Sequence, residues 1–206
     1  MSSSHSVEFF DRQFKQQIKD HDSDLNPFEA AALPHLHGRV LDLGCGMGNL
    51  AVAAARRGCS VLAVDASAAA IEHLHRVASH ETLAIEAVQA DLRCFGSGDT
   101  FDAIVCIGLL MFFDCPTALR WLASIRAQVK PGGIAIVNLL VAGTTYTDMF
   151  DPDGHCLLAR GDLVRSFSDW EVIGSESREF TVADGRIKAF ETVTARKPRQ
   201  APPALA

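Results

Sequence analysis

Apolar runs that end in acids alternate along this chain with stripes of helical period. Val40-Leu41-Asp42-Leu43 enters Gly44-Cys45-Gly46-Met47-Gly48, and Leu50-Ala51-Val52-Ala53-Ala54-Ala55 follows. That order predicts a buried strand, a tight turn and a helix start. Val61-Leu62-Ala63-Val64-Asp65 predicts a second strand, after which Ser67 caps a helix over 68–79 with Ile71, Leu74 and Val77 inward. Residues 83–88 and 101–107 read as the third and fourth strands, and residues 108–113 continue without a charge. A helix over 116–129 places Leu119, Leu122, Ile125 and Val129 inward. Lys130-Pro131-Gly132-Gly133 then turns the chain into a fifth strand over 134–141.

The two ends add helices and a hairpin. Val7, Phe10, Phe14 and Ile18 form one helical face, residues 20–24 break it, and Asn26-Pro27 starts a second helix over 28–33 that Pro34 stops. Residues 144–156 form a polar, acidic loop with Tyr146, Asp148, Asp151, Pro152, Asp153 and His155, placed over the carboxyl end of the fifth strand. A short helix over 161–167, a strand over 170–175 and a hairpin of 179–182 with 187–195 complete the pattern, the turn being Ala183-Asp184-Gly185-Arg186. The alternation predicts an α/β fold with a mostly parallel sheet and an antiparallel C-terminal hairpin strand. Three segments are expected, a helical 1–38, a single domain over 39–197 and a flexible tail over 198–206.

Composition narrows the function classes. At 206 residues with 48% hydrophobic and 21% charged, the chain suits one globular α/β domain. No apolar run approaches the ~20 residues of a membrane helix, and the polar start of residues 1–6 is no secretory signal. A formal charge of -6 argues against a nucleic-acid partner. Six cysteines without a C-x-x-C pair predict a reduced, cytoplasmic protein lacking disulfides and structural zinc. His35, His37, His73, His75 and His80 read as solvated, so no metal is expected.

The chemistry concentrates at the first two strands. Gly44, Gly46 and Gly48 let a ligand lie against bare backbone, beside free N–H groups at the helix start. The spacing is G-x-G-x-G, whereas a dinucleotide fingerprint is G-x-G-x-x-G. Asp42 disfavours a pyrophosphate and suits an ammonium or sulfonium, and Asp65 at the next strand end suits ribose hydroxyls. Backbone carbonyls near Cys106 and Ile107 suit the ammonium group.

This strand pair resembles motif I and the ribose-binding acid of the class I S-adenosylmethionine-dependent methyltransferases. The resemblance implies S-adenosylmethionine as cofactor, held around Asp42, Gly44, Cys45, Gly46, Asn49, Asp65 and Ala66, with Asp91 and the Leu92 backbone on adenine. It also implies a three-layer, Rossmann-like, seven-stranded sheet, mostly parallel with an antiparallel C-terminal hairpin strand, and a helical segment over 1–38 that covers the cofactor cleft and puts Phe10 and Phe14 at the site.

Over about residues 39–197 the chain is similar, more narrowly, to the tellurite-resistance methyltransferases. Leu41 to Gly46, Leu110-Met111-Phe112, residues 161–167 leading into Trp170-Glu171, and residues 185–188 through 195–197 carry that likeness. It implies methylation of a small oxyanion such as tellurite or selenite, or of another small nucleophile. Family members carry a His-Arg pair before the last hairpin; here that place reads Arg178-Glu179, and only Arg186 matches a family arginine. Arg186 and Arg178 are therefore the oxyanion candidates, and His155, Asp148 or Asp151 would serve as base for a hydroxyl or amine acceptor. A small organic O, N or S nucleophile is the alternative acceptor. A nicotinamide-dependent oxidoreductase and a non-catalytic cofactor-binding protein are the rival functions. A small-molecule acceptor is the expected partner of a monomer or homodimer.

Overall fold

The computed structural model describes residues 5–20, 23–151 and 154–199. Its strands are β1 (Arg39–Leu43), β2 (Ser60–Asp65), β3 (Ile85–Gln89), β4 (Phe101–Ile107), β5 (Val129–Leu140), β6 (Glu171–Thr181) and β7 (Ile187–Arg196). They form one seven-stranded sheet in the order β3-β2-β1-β4-β5-β7-β6. β1 to β5 run parallel, and β7 lies antiparallel to both β5 and β6. The α/β sheet with an antiparallel C-terminal strand is thus as expected.

The helices are α1 (His5–Asp20), α2 (Pro27–Ala32), α3 (Asn49–Arg56), α4 (Ala68–Glu81), α5 (Cys115–Gln128) and α6 (Asp162–Arg165). Strand alternation sends Val40, Val61, Ala63 and Val105 to one face, where they pack with Leu50, Ala54 and Ile71 of α3 and α4. Leu41, Leu43, Ile104 and Val137 point to the other face, against Trp121, Leu122 and Ile125 of α5. Each Val, Leu or Ile among them contributes about 1.5–3 kcal/mol by leaving water. Three layers result.

Several local expectations change. Leu119 is 51% exposed, because the inward stripe of α5 is Ala118, Trp121, Leu122 and Ile125, an i, i+3, i+4, i+7 set. The second helix ends at Ala32, one residue short of the expected Leu33, and Pro34 follows in a short 3-10 turn over Leu33–His35. Lys130 to Gly133 fall inside β5, taken up by a register shift opposite Phe101 and Ala103. The strands expected over 170–175 and 179–182 are one strand, β6, since β7 pairs with it along its whole length.

The cysteine expectation is overturned. Cys115, at the start of α5, is disulfide-bonded to Cys156, with Cα atoms 4.8 Å apart across 41 residues of sequence. The Cys156 N–H donates to Met111 O at 3.0 Å, which pins the 144–156 loop to the β4–α5 connection and brings the two sulfurs together. Cys45, Cys59, Cys94 and Cys106 stay free. Among the described residues no group of three or more metal-ligating side chains occurs, and no helix is long and apolar enough to cross a membrane. Pro152 and Asp153 of the loop, and residues 200–206 of the expected tail, lie outside the described residues.

Candidate cofactor and acceptor site

The strand order reverses between β1 and β4: the chain steps outward through β2 and β3, then returns to the far side of β1. Open α/β sheets bind ligands at the carboxyl ends of their strands at such a point. A cavity of about 950 Å³ opens there, roofed by α1 and α2 and floored by the strand ends.

The glycine turn is held mostly by its own backbone. The Gly44 and Cys45 N–H groups both donate to Val64 O, at 2.8 and 3.1 Å, and the Gly48 N–H donates to Cys45 O at 2.9 Å. The Gly46 N–H donates to Asp65 Oδ2 at 2.9 Å. These N–H groups are therefore engaged within the protein, whereas α3 begins without a side-chain cap. Gly48 is left-handed at φ +79, and a Cβ there would come within 2.5 Å of Leu74 Cδ1.

Two carboxylates flank the turn. Asp42 is 5% exposed, and its Oδ2 has no hydrogen-bond partner among the described residues. Burial, with the negative charges of Glu29 and Asp65 nearby, pushes its carboxyl up to about 8. Asp65 is held by the Gly46 N–H and, through Oδ1, by the Ser67 N–H at 2.8 Å. Burial raises its pKa, opposed by those backbone donors. Both acids line the cavity.

An orphaned carboxylate oxygen beside a second acid suits a cationic ligand with a vicinal diol and opposes a pyrophosphate. The residues present therefore fit S-adenosylmethionine. Gly44, Cys45, Gly46, Asn49, Ala66, Asp91, Leu92 and Ile107 all line the same cavity. Asp91 is chelated by Arg93 through both oxygens, at 2.9 and 2.8 Å, and the Leu92 carbonyl accepts the Trp121 indole N–H at 2.8 Å. Cys106 is not on the lining: it is fully buried in the sheet, and the chain reaches the cavity from Ile107 onward.

From α1, Phe10 and Phe14 reach the cavity, and the Phe14 ring lies 3.1 Å from where a Gly46 Cβ would stand. Ser67 Oγ donates to Asp11 at 2.7 Å, tying α1 to the start of α4.

The three catalytic candidates lie outside the lining. Arg186 is bonded to both oxygens of Asp148, at 2.6 and 2.7 Å, and to Asp184 at 2.7 Å. Arg178, on edge strand β6, pairs with Glu176 at 2.6 Å. His155 stacks on Phe150 with centroids 4.7 Å apart. Of the loop acids Asp148 and Asp151, Asp151 reaches the cavity.

Sequence reasoning missed the far wall. Lys188 and Phe190 from β7, with Asn138 and Leu140 from β5, line the cavity. Their signal was the period-2 alternation of β7, which puts Lys188 and Phe190 on one face and buried Ala189 on the other. Asn138 is fully buried, donates to Thr192 Oγ1 at 2.7 Å and leaves its Oδ1 unpartnered among the described residues.

Residues 40–133 match the family described as methyltransferase domain. A curated relative, Hemagglutinin 1 of Eikenella corrodens, is 29% identical over 168 residues, covering 78% of this chain and 55% of that protein. The ubiquinone biosynthesis O-methyltransferase of Alkalilimnicola ehrlichii is 33% identical over 124 residues, 57% of this chain and 49% of that one. The chain thus spans about half the length of these curated relatives. Among solved structures, TehB from Haemophilus influenzae superposes with a TM-score of 0.73 at 21% identity, covering 88% of this chain and 65% of that one. That likeness is one of fold.

Proposed function

We propose that this chain, which carries a class I S-adenosylmethionine-dependent methyltransferase domain, transfers the cofactor's methyl group to a small organic nucleophile. The observation that carries the reading is the pair of cavity carboxylates, Asp42 with its orphaned oxygen and Asp65 bonded to the glycine turn.

When bound, S-adenosylmethionine supplies a sulfonium-activated methyl. The chain's own contribution is to hold and to position. Asp42 would offer negative charge to the cofactor's cationic end, and Asp65 its remaining lone pairs to the ribose. Asp91 and the Leu92 backbone would meet the adenine, and Phe10 and Phe14 of α1 would exclude water from above. Such positioning supplies ~7–11 kcal/mol in favourable cases. Asp151, the loop acid on the lining, is the candidate base for a hydroxyl or amine acceptor.

A metalloid oxyanion such as tellurite or selenite is the second reading, carried by the sequence resemblance of Leu110-Met111-Phe112 and residues 161–167 to the tellurite-resistance methyltransferases. It is placed second because Arg186 and Arg178, which would hold an oxyanion, are each ion-paired away from the cavity. The curated relative named as an O-methyltransferase of ubiquinone biosynthesis points toward organic acceptors instead. A cofactor-product assay over phenols, amines, thiols, selenite and tellurite tests the choice. Turnover with organic nucleophiles only supports the first reading; turnover with the oxyanions alone overturns it.

A further inference from the structure

The cavity lining is mostly acidic, and besides Asp42, Asp65 and Asp91 it holds Asp24, Glu29, Asp114 and Asp151. Asp65, Asp42 and Asp91 stand at the ends of β2 and β1 and just after β3, in one half of the sheet. Lys188 stands on β7, beyond β4 and β5. The lining holds two basic side chains, Arg93 and Lys188. Asp91 neutralises Arg93 at 2.8 Å. Among the described residues no carboxylate ion-pairs with Lys188; its Nζ lies instead 4.4 Å from the centroid of the Tyr146 ring.

Around Lys188 the wall is aromatic. Phe190 follows on the same strand face, and Phe28 of α2 lies 4.9 Å from it, centroid to centroid. Phe112 lines the cavity too, in edge contact with Phe10 at 5.0 Å. A cation half removed from water without an anion is costly, and burial lowers the pKa of this ammonium. The Tyr146 ring offsets part of that cost. An ionised oxygen brought in by a ligand would offset more, because hydrogen bonds to charged groups are stronger than neutral ones.

We infer that Lys188 receives the anionic oxygen of an aromatic acceptor, a carboxylate or phenolate whose ring lies among Phe28, Phe112 and Phe190. This rests on the methyltransferase reading, for it names the substrate class of the same cavity. Asp42 and Asp65, at β1 and β2, would then serve the cationic cofactor, and the Lys188 ammonium at β7 the anionic acceptor. A bare oxyanion would leave the aromatic wall unused.

Naphthalene carboxylate and its methyl ester share a ring system and differ by one charge, so they serve as probes. Both are titrated by naphthalene fluorescence into the protein saturated with S-adenosylhomocysteine. The carboxylate is expected to bind tighter by about tenfold or more, the range of a charge-assisted hydrogen bond. Lys188→Met should erase that preference and Lys188→Arg should retain it, with unchanged far-ultraviolet circular dichroism showing that both variants fold. Equal affinity for acid and ester, a preference that survives Lys188→Met, or no saturable carboxylate binding would each overturn the inference. A separate titration with S-adenosylhomocysteine keeps the two levels apart. If the nucleoside binds while the probes ignore charge, only the inference fails. If the carboxylate is preferred while the nucleoside does not bind, the methyltransferase reading fails, and Lys188 is an anion site but not one for a methyl acceptor.

Discussion

Asp65 Oδ2 accepts the Gly46 N–H at 2.9 Å, so the acid that ends the second strand also fixes the glycine turn that follows the first. Its other oxygen takes the Ser67 N–H at 2.8 Å, at the cap of α4. One carboxylate thereby shapes the turn, starts a helix and still presents lone pairs to the cavity.

Replacing it should therefore do two things. Asp65→Ala is expected to weaken S-adenosylhomocysteine binding by ~1–3 kcal/mol, from ribose hydroxyls left without a partner. It should also lower the thermal midpoint, because two backbone donors lose their acceptor. Calorimetric titration and a melting curve read the two effects separately, and unchanged affinity would remove Asp65 from the ribose site.

The pH dependence of the ligand-free protein follows from Asp42. Its carboxyl is pushed up to about 8 in the folded chain, against ~3.9 when unfolded. Between these values the native state holds a proton that the unfolded state has released, so stability falls as pH rises from about 4 to about 8. Burial shifts Asp65 in the same direction. Asp42→Asn should flatten the slope and raise the urea midpoint at pH 8 while weakening nucleoside binding. A midpoint in Asp42→Asn that keeps the native pH slope would contradict the assignment.

Gly48 has little freedom to change. A side chain there must adopt φ +79 and place its Cβ within 2.5 Å of Leu74 Cδ1. Gly48→Ala should cost about 1–2 kcal/mol for the left-handed backbone alone, plus the displacement of a fully buried leucine. The drop would appear in the denaturant midpoint, and an unaltered midpoint would show that the turn relaxes.

The Cys115–Cys156 bond closes a 41-residue span. In the chain-entropy model such a closure stabilises by about 2–4 kcal/mol. Cys115→Ser, or the native chain under dithiothreitol, should lose stability on that order. Equal midpoints with and without reductant would mean that the thiols are not bonded in solution.

What the sequence made legible was local. Asp42, the glycines and Asp65 sit at successive strand ends, where apolar runs and turn residues mark position directly, and Asp42, Gly44, Gly46 and Asp65 reach one cavity. The far wall was harder to read because it is built from non-local pairing. Lys188 becomes a lining residue only when β7 docks antiparallel on β5, a register that no short motif marks. The disulfide escaped for the same reason, since tertiary contacts such as the Cys156 N–H bond to Met111 O bring together two cysteines with ordinary spacing. Leu119 and Trp121 show a subtler limit. Leucine spacing alone put the α5 face off by part of a turn, while the tryptophan that anchors it also satisfies the Leu92 carbonyl.

The most direct test is an isothermal titration of the purified protein with S-adenosylhomocysteine and, in parallel, with NADH. Saturable one-to-one binding of the first and none of the second is expected from acids set where a pyrophosphate would otherwise approach. Binding of NADH, with S-adenosylhomocysteine ignored, would contradict that reading.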